Sequence, residues 1–126
     1  MAIYFTIKEM TKSQTAKLYH IDNTPTEEAA ENLKKVMYIL DMVRVHMGKP
    51  IFINSGYRCK NLNKIVGGVQ GSMHTKGLAA DFRTDKKEDI NRMFEFLKEN
   101  HKEFKIIELI NYKTFIHMGV SETLTI

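Results

Sequence analysis

The sequence is poor in the residues that staple or rigidify a small fold: among 126 residues there is one cysteine, no tryptophan and two prolines. A lone Cys59 excludes an internal disulfide, and with it a cross-linked secreted scaffold. No His or Asp stands beside Cys59 in a nucleophile pattern, so its reading is a structural thiol. No apolar run approaches the roughly 18 residues of a membrane span, so no membrane partner is expected. The N-terminal MAIYFTIKEMTKSQ lacks a basic region followed by an apolar core. The expectation is a chain made in the cytoplasm without a signal peptide. Repeats, low-complexity segments and linkers are also missing, which predicts a single domain over residues 1–126.

What is present is an ordinary globular balance, 43% apolar and 27% charged, with a net charge of +4. A basic balance favours anionic surfaces. The cations are interspersed with acids, as in KKEDINR and KENHKEFK, which describes a solvated mixed surface rather than a nucleic-acid patch. Nucleic-acid binding therefore ranks last among the functional readings, and a monomer is expected.

Periodicity places the elements. Residues 3–7 suit a short strand or extended arm, and residues 9–20 a helix. Thr24-Pro25-Thr26-Glu27 reads as a helix start with Thr24 as N-cap and Glu27 in a capping box. Ala29, Leu33, Val36, Met37, Leu40, Val43 and Met47 then recur mostly at three- and four-residue spacings, the buried face of a long helix that Gly48-Lys49-Pro50 ends. IFIN (51–54) and LAADF (78–82) read as strands, with a short helix or turn at CKNLNKIVGG between them. Asp85 and Glu88 suggest the cap of a helix reaching about Asn100 and burying Ile90, Met93, Phe94 and Leu97. IIELI (106–110) and FIHMGV (115–120) are the last clear strands, and SETLTI suits an edge strand. The fold class is α+β, helices packed on a mostly antiparallel sheet.

Of five histidines, His20, His46 and His101 sit at helix ends or in a charged run and carry no chemical signal. His74 lies in a glycine-bounded loop leading into the strand that carries Asp81, seven positions on. His117 is the one titratable side chain in FIHMGV. A carboxylate inside LAADF costs several kcal/mol unless it is paired or metal-bound. It has two readings: an ion pair with Arg58 or Arg83, or a His–Asp–His metal site that also accounts for His117. Three such ligands leave a fourth position open on zinc, as catalytic sites require.

Ser55-Gly56-Tyr57-Arg58, Leu62-Asn63, Val66-Gly67-Gly68, the run Ser72-Met73-His74-Thr75-Lys76-Gly77-Leu78-Ala79-Ala80-Asp81, and Phe115-Ile116-His117 stand in this order. In that order and spacing the chain resembles the D-alanyl-D-alanine metallocarboxypeptidase family. That family includes VanY-type carboxypeptidases and the phage endolysins that cut the L-alanyl-D-glutamate bond; Hedgehog signalling domains share its fold. The likeness extends through FTIKEMTKSQTA and IDNTP, most of the chain. It implies one Zn2+ held by His74, Asp81 and His117, and Arg58 engaging substrate beside the metal. The implied substrate is the peptidoglycan stem peptide, cut either at the terminal D-Ala or internally. For such an enzyme without a signal peptide, release by host lysis or carriage on a virion is the expectation.

Arg58 suits a substrate carboxylate or an oxyanion, or else an ion pair supporting the metal loop. Tyr57 and Ser72 are candidate hydrogen-bond donors to substrate. Relatives commonly carry an acid three residues before the last histidine, where this chain has Thr114. A hairpin turning at Tyr112-Lys113 would set Glu108 opposite His117, on one face and beside the metal. Glu108 is then the candidate general base, or an acceptor for the His117 imidazole. Thr114 also keeps open a second reading, a zinc-binding module without turnover that binds cell wall or a protein.

Overall fold

A computed structural model of the chain describes residues 3–126. Its longest element, α3 (Glu27–Met47), has the predicted apolar face: Ala29, Leu33, Val36, Met37, Leu40, Val43 and Met47 are all buried. The helix begins later than its sequence suggests. Thr26, not Thr24, is the N-cap, its side chain accepting from the Ala29 N–H at 3.1 Å. Thr24 is spent upstream, its N–H and hydroxyl both bonded to the Asp22 carboxylate. Gly48 closes α3 in the left-handed conformation, φ +69°.

Four strands form one antiparallel sheet in the order β1 (Phe52–Ser55), β2 (Ala79–Arg83), β4 (Ile116–Val120), β3 (Ile106–Asn111). On one face Ala80, Phe82, Ile116 and Met118 are fully buried in the core with α3 and α5 (Ile90–Glu99). By the strand alternation, Asp81, Arg83 and His117 project from the other face. The expected α+β architecture is what the chain adopts.

Several local expectations give way to better-satisfied alternatives. Residues 3–7 form no strand: the buried Asp41 carboxylate accepts the Ile3 and Tyr4 N–H groups, and Ile7 already opens α1 (Ile7–Thr11). The helix read over 9–20 splits into α1 and α2 (Gln14–Leu18), because Ser13 N-caps the second piece through the Ala16 N–H. Asp85 caps nothing; it faces Lys49 at 3.6 Å, and a 3-10 turn (Lys87–Asp89) leads into α5. SETLTI is turn and coil with Leu124 tucked into the core, not an edge strand.

Candidate metal centre

Two loops and two strands build the centre. β1 runs into the turn Ser55–Arg58, where Asn23 acts as a brace that the sequence did not single out. Its Nδ2 donates to the Thr11 and Tyr57 carbonyls and its Oδ1 accepts the Cys59 N–H, at 2.8–3.0 Å. Asn23 is buried, so these bonds satisfy a side chain that would otherwise be costly to enclose. The turn is tied to the next loop by the Arg58 N–H donating to the His74 carbonyl at 3.1 Å. After α4 (Lys60–Ile65), a 3-10 turn over Met73–Lys76 carries His74. Gly77 ends that turn at φ +74°, where a Cβ would run into the Ala29 carbonyl of α3. Ser72 caps the turn, its Oγ accepting the His74 N–H at 3.2 Å. That is the place of the predicted substrate donor Ser72; Tyr57, the other one, is buried with its pKa raised by burial.

The strand register supplies the rest. Asp81 of β2 pairs with His117 of β4 and with Ser55 of β1. One potential ligand atom from each of His74, Asp81 and His117 lies within 4.8 Å of the others, the one such group among the described residues. His74 Nδ1 donates to the Gly56 carbonyl at 2.7 Å, which leaves Nε2 facing Asp81 Oδ1 at 3.3 Å. His117 Nδ1 lies 2.7 Å from the same Oδ1. Two imidazole nitrogens and a carboxylate oxygen converging on one point are a donor set that fits zinc, and the bond to Gly56 fixes one imidazole in the needed tautomer. Arg58 adds Nη2 at 3.7 Å from Asp81 Oδ2, so Asp81 faces two imidazoles and a guanidinium.

The charges behave accordingly. Burial alone would raise the Asp81 pKa, but hydrogen bonds from His117 and then His74, with their charge, hold it down at about 2. The same contact with Asp81, aided by Glu108, raises the His117 pKa against burial. For Arg58 burial pulls the pKa down and the Asp81 charge opposes it. Arg58 Nε donates to Ser55 Oγ at 3.1 Å and Nη1 to Asn63 Oδ1 at 3.0 Å, so the guanidinium is fixed before any substrate arrives.

Glu108 reaches the centre by a different register from the one expected. Tyr112 to Phe115 close a four-residue connection, the Tyr112 N–H donating to the Phe115 carbonyl, with Lys113 at φ +74°. Asn111 therefore pairs with Ile116, Ile110 with His117, and Glu108 with Gly119. The slip relative to the two-residue turn is two positions, which keeps Glu108 on the same face; a slip of one would have turned it away. Gly119 makes room: a Cβ there would lie 2.8 Å from Glu108 Oε1 and 2.8 Å from Met73 Sδ. Through that gap Glu108 Oε1 reaches His117 Nε2 at 2.8 Å. Thr114 lies exposed at the hairpin tip. The pairing with Gly119 had no sequence signal, because the length of the turn decides it.

A comparison with curated proteins found no match. The family model described as Peptidase M15 matches residues 3–119, from the first described residues through the Gly119 that admits Glu108. That span takes in the Arg58 turn, the His74 loop and both strands bearing Asp81 and His117, and the chain belongs to the M15 peptidase family.

Proposed function

We propose that the protein is a zinc-dependent peptidase that hydrolyses peptide bonds in peptidoglycan stem peptides. The observation that carries this reading is the convergence of His74 Nε2, Asp81 Oδ1 and His117 Nδ1 within a peptidase family match. His74, Asp81 and His117 would hold the ion, which supplies a Lewis acid for the scissile carbonyl and an activated water when bound.

The chain's own residues do the remainder. The Gly56 carbonyl and Glu108 each engage the outward nitrogen of one imidazole, orienting the two rings. Arg58, braced by Ser55 and Asn63, offers Nη2 to a substrate carboxylate or to the developing oxyanion. Glu108, whose side chain is 45% exposed, accepts the water proton on the carboxylate oxygen not bonded to His117. An exo- or an internal cut is decided by what the cleft admits beyond Arg58.

The test is digestion of purified peptidoglycan by zinc-loaded protein beside a His74→Ala control, with mass spectrometry of the fragments. Released D-Ala identifies a carboxypeptidase and an internal cut an endolysin-type enzyme; equal product from the control contradicts the reading. One observation favours a second reading, a zinc-binding module without turnover: the carboxylate beside the cluster is already engaged by His117. Bound zinc with no product at any zinc level selects that alternative.

A further inference from the structure

Beside the metal centre, β1 is an edge strand, hydrogen-bonded to β2 alone. Its open side forms the floor of a groove of about 860 Å³, walled by the corner between α1 and α2 and by the Gly67–Gly68 turn. The ligand cluster does not line this groove. Arg58 connects the two, lining the groove while its Nη2 stands 3.7 Å from Asp81 Oδ2.

The charged side chains of the groove are Lys12, Arg58, Arg83 and Glu9, three cations against one carboxylate. Arg58 has Asp81, Ser55 and Asn63. Lys12 and Arg83 have no carboxylate within 4.0 Å among the described residues. Arg83 is nonetheless placed, its guanidinium lying 5.1 Å from the centroid of the exposed Phe52 ring. Two cations without a carboxylate of their own, one of them held against Phe52, in a groove that Arg58 joins to the metal centre, form an anion-binding strip.

We propose that this groove is a substrate subsite for an extended acidic peptide, in which Lys12 and Arg83 receive a carboxylate distinct from the one at Arg58. The proposal rests on the peptidase reading and adds to it the class of peptide: the bound segment carries a free carboxylate away from the scissile bond. The edge of β1 offers backbone groups to an extended chain, Phe52 an apolar surface, and the cations select the acid.

Binding is measured on the full chain freed of metal, so that no turnover intervenes. The probe is the pentapeptide L-Ala-γ-D-Glu-L-Lys-D-Ala-D-Ala, compared with the same peptide amidated at the D-Glu α-carboxylate. Lys12→Gln and Arg83→Gln, both at exposed positions, should each weaken binding of the acid peptide by about tenfold, as for a lost charge-assisted hydrogen bond. Binding of the amidated peptide should be unaffected by either substitution. Equal affinities for the acid peptide in wild type and variants overturn the subsite, as does an equal loss with both peptides or no binding by wild type at millimolar peptide. Cleavage by the zinc-loaded protein is read separately. Turnover with an unchanged KM in both variants removes the subsite and leaves the peptidase; carboxylate-dependent binding without turnover in wild type keeps the subsite and removes the peptidase.

Discussion

Asp81 faces two imidazoles and a guanidinium, and its behaviour without metal is a direct consequence. Its pKa of about 2, below the 3.8 of a free side chain, means that it stabilises the fold above about pH 4, and that this contribution disappears as pH falls through 2. The size is about 2 kcal/mol. His117, whose pKa is raised above 6.5, contributes below that pH and loses its contribution as pH rises through the folded value. Metal-free protein should therefore be most stable between about pH 4 and 6.5, and urea unfolding across a pH series checks it. Asp81→Asn should flatten both flanks; an unchanged profile would show that the contacts at 2.7 and 3.3 Å carry no weight. Glu108 separates the two functional readings at this same scale. Glu108→Gln keeps a hydrogen-bonding group at His117, so under the proposed mechanism zinc affinity should change little while turnover falls by 100-fold or more. Survival of full turnover would assign the proton to another group.

The elements show where position is decided by competition between neighbouring caps and turns. Thr26→Ala should destabilise the fold by about 1 kcal/mol by removing the α3 cap. Thr24→Ala should leave α3 intact, and denaturant melts of the pair check the assignment. The apolar spacing of α3 was legible because burial enforces it. The cap was not, because the box Thr24-x-x-Glu27 pointed to Thr24, whose N–H and hydroxyl are instead bonded to Asp22, leaving Thr26 to cap the helix. The same holds for the hairpin. That Glu108 shares a face with His117 could be read from strand alternation, whereas its partner across the strand depends on a four-residue connection that leaves Lys113 left-handed. Gly119→Ala tests the close approach: the added methyl must displace Glu108 or Met73. It should weaken zinc binding by the 10- to 100-fold typical of a lost partner to a ligand imidazole. Unaltered affinity would show either that Met73 yields to the methyl in place of Glu108 or that Glu108 is dispensable to His117.

Across the whole molecule, residues far apart in sequence are brought to one face by a single sheet and its loops. Ser55, Asp81 and His117 lie in three adjacent strands, and α3 supports the His74 loop through the close contact of Ala29 with Gly77 and through Asn32, which donates to the Lys76 carbonyl at 2.9 Å. The motif around His74 and Asp81 and the late His117 made the cluster legible in the sequence. Asn63 stood in the quoted motif, but its role as a brace of Arg58 did not show there, and Asn23 acts through long-range hydrogen bonds that no local pattern encodes. The central claim is that His74, Asp81 and His117 together hold one zinc ion, and the most direct test is zinc stoichiometry and affinity by chelator competition in wild type and Asp81→Asn. The account predicts one ion per chain, with affinity lowered at least 100-fold by the substitution because a charged ligand is lost. Stoichiometric zinc bound equally well by Asp81→Asn would contradict it.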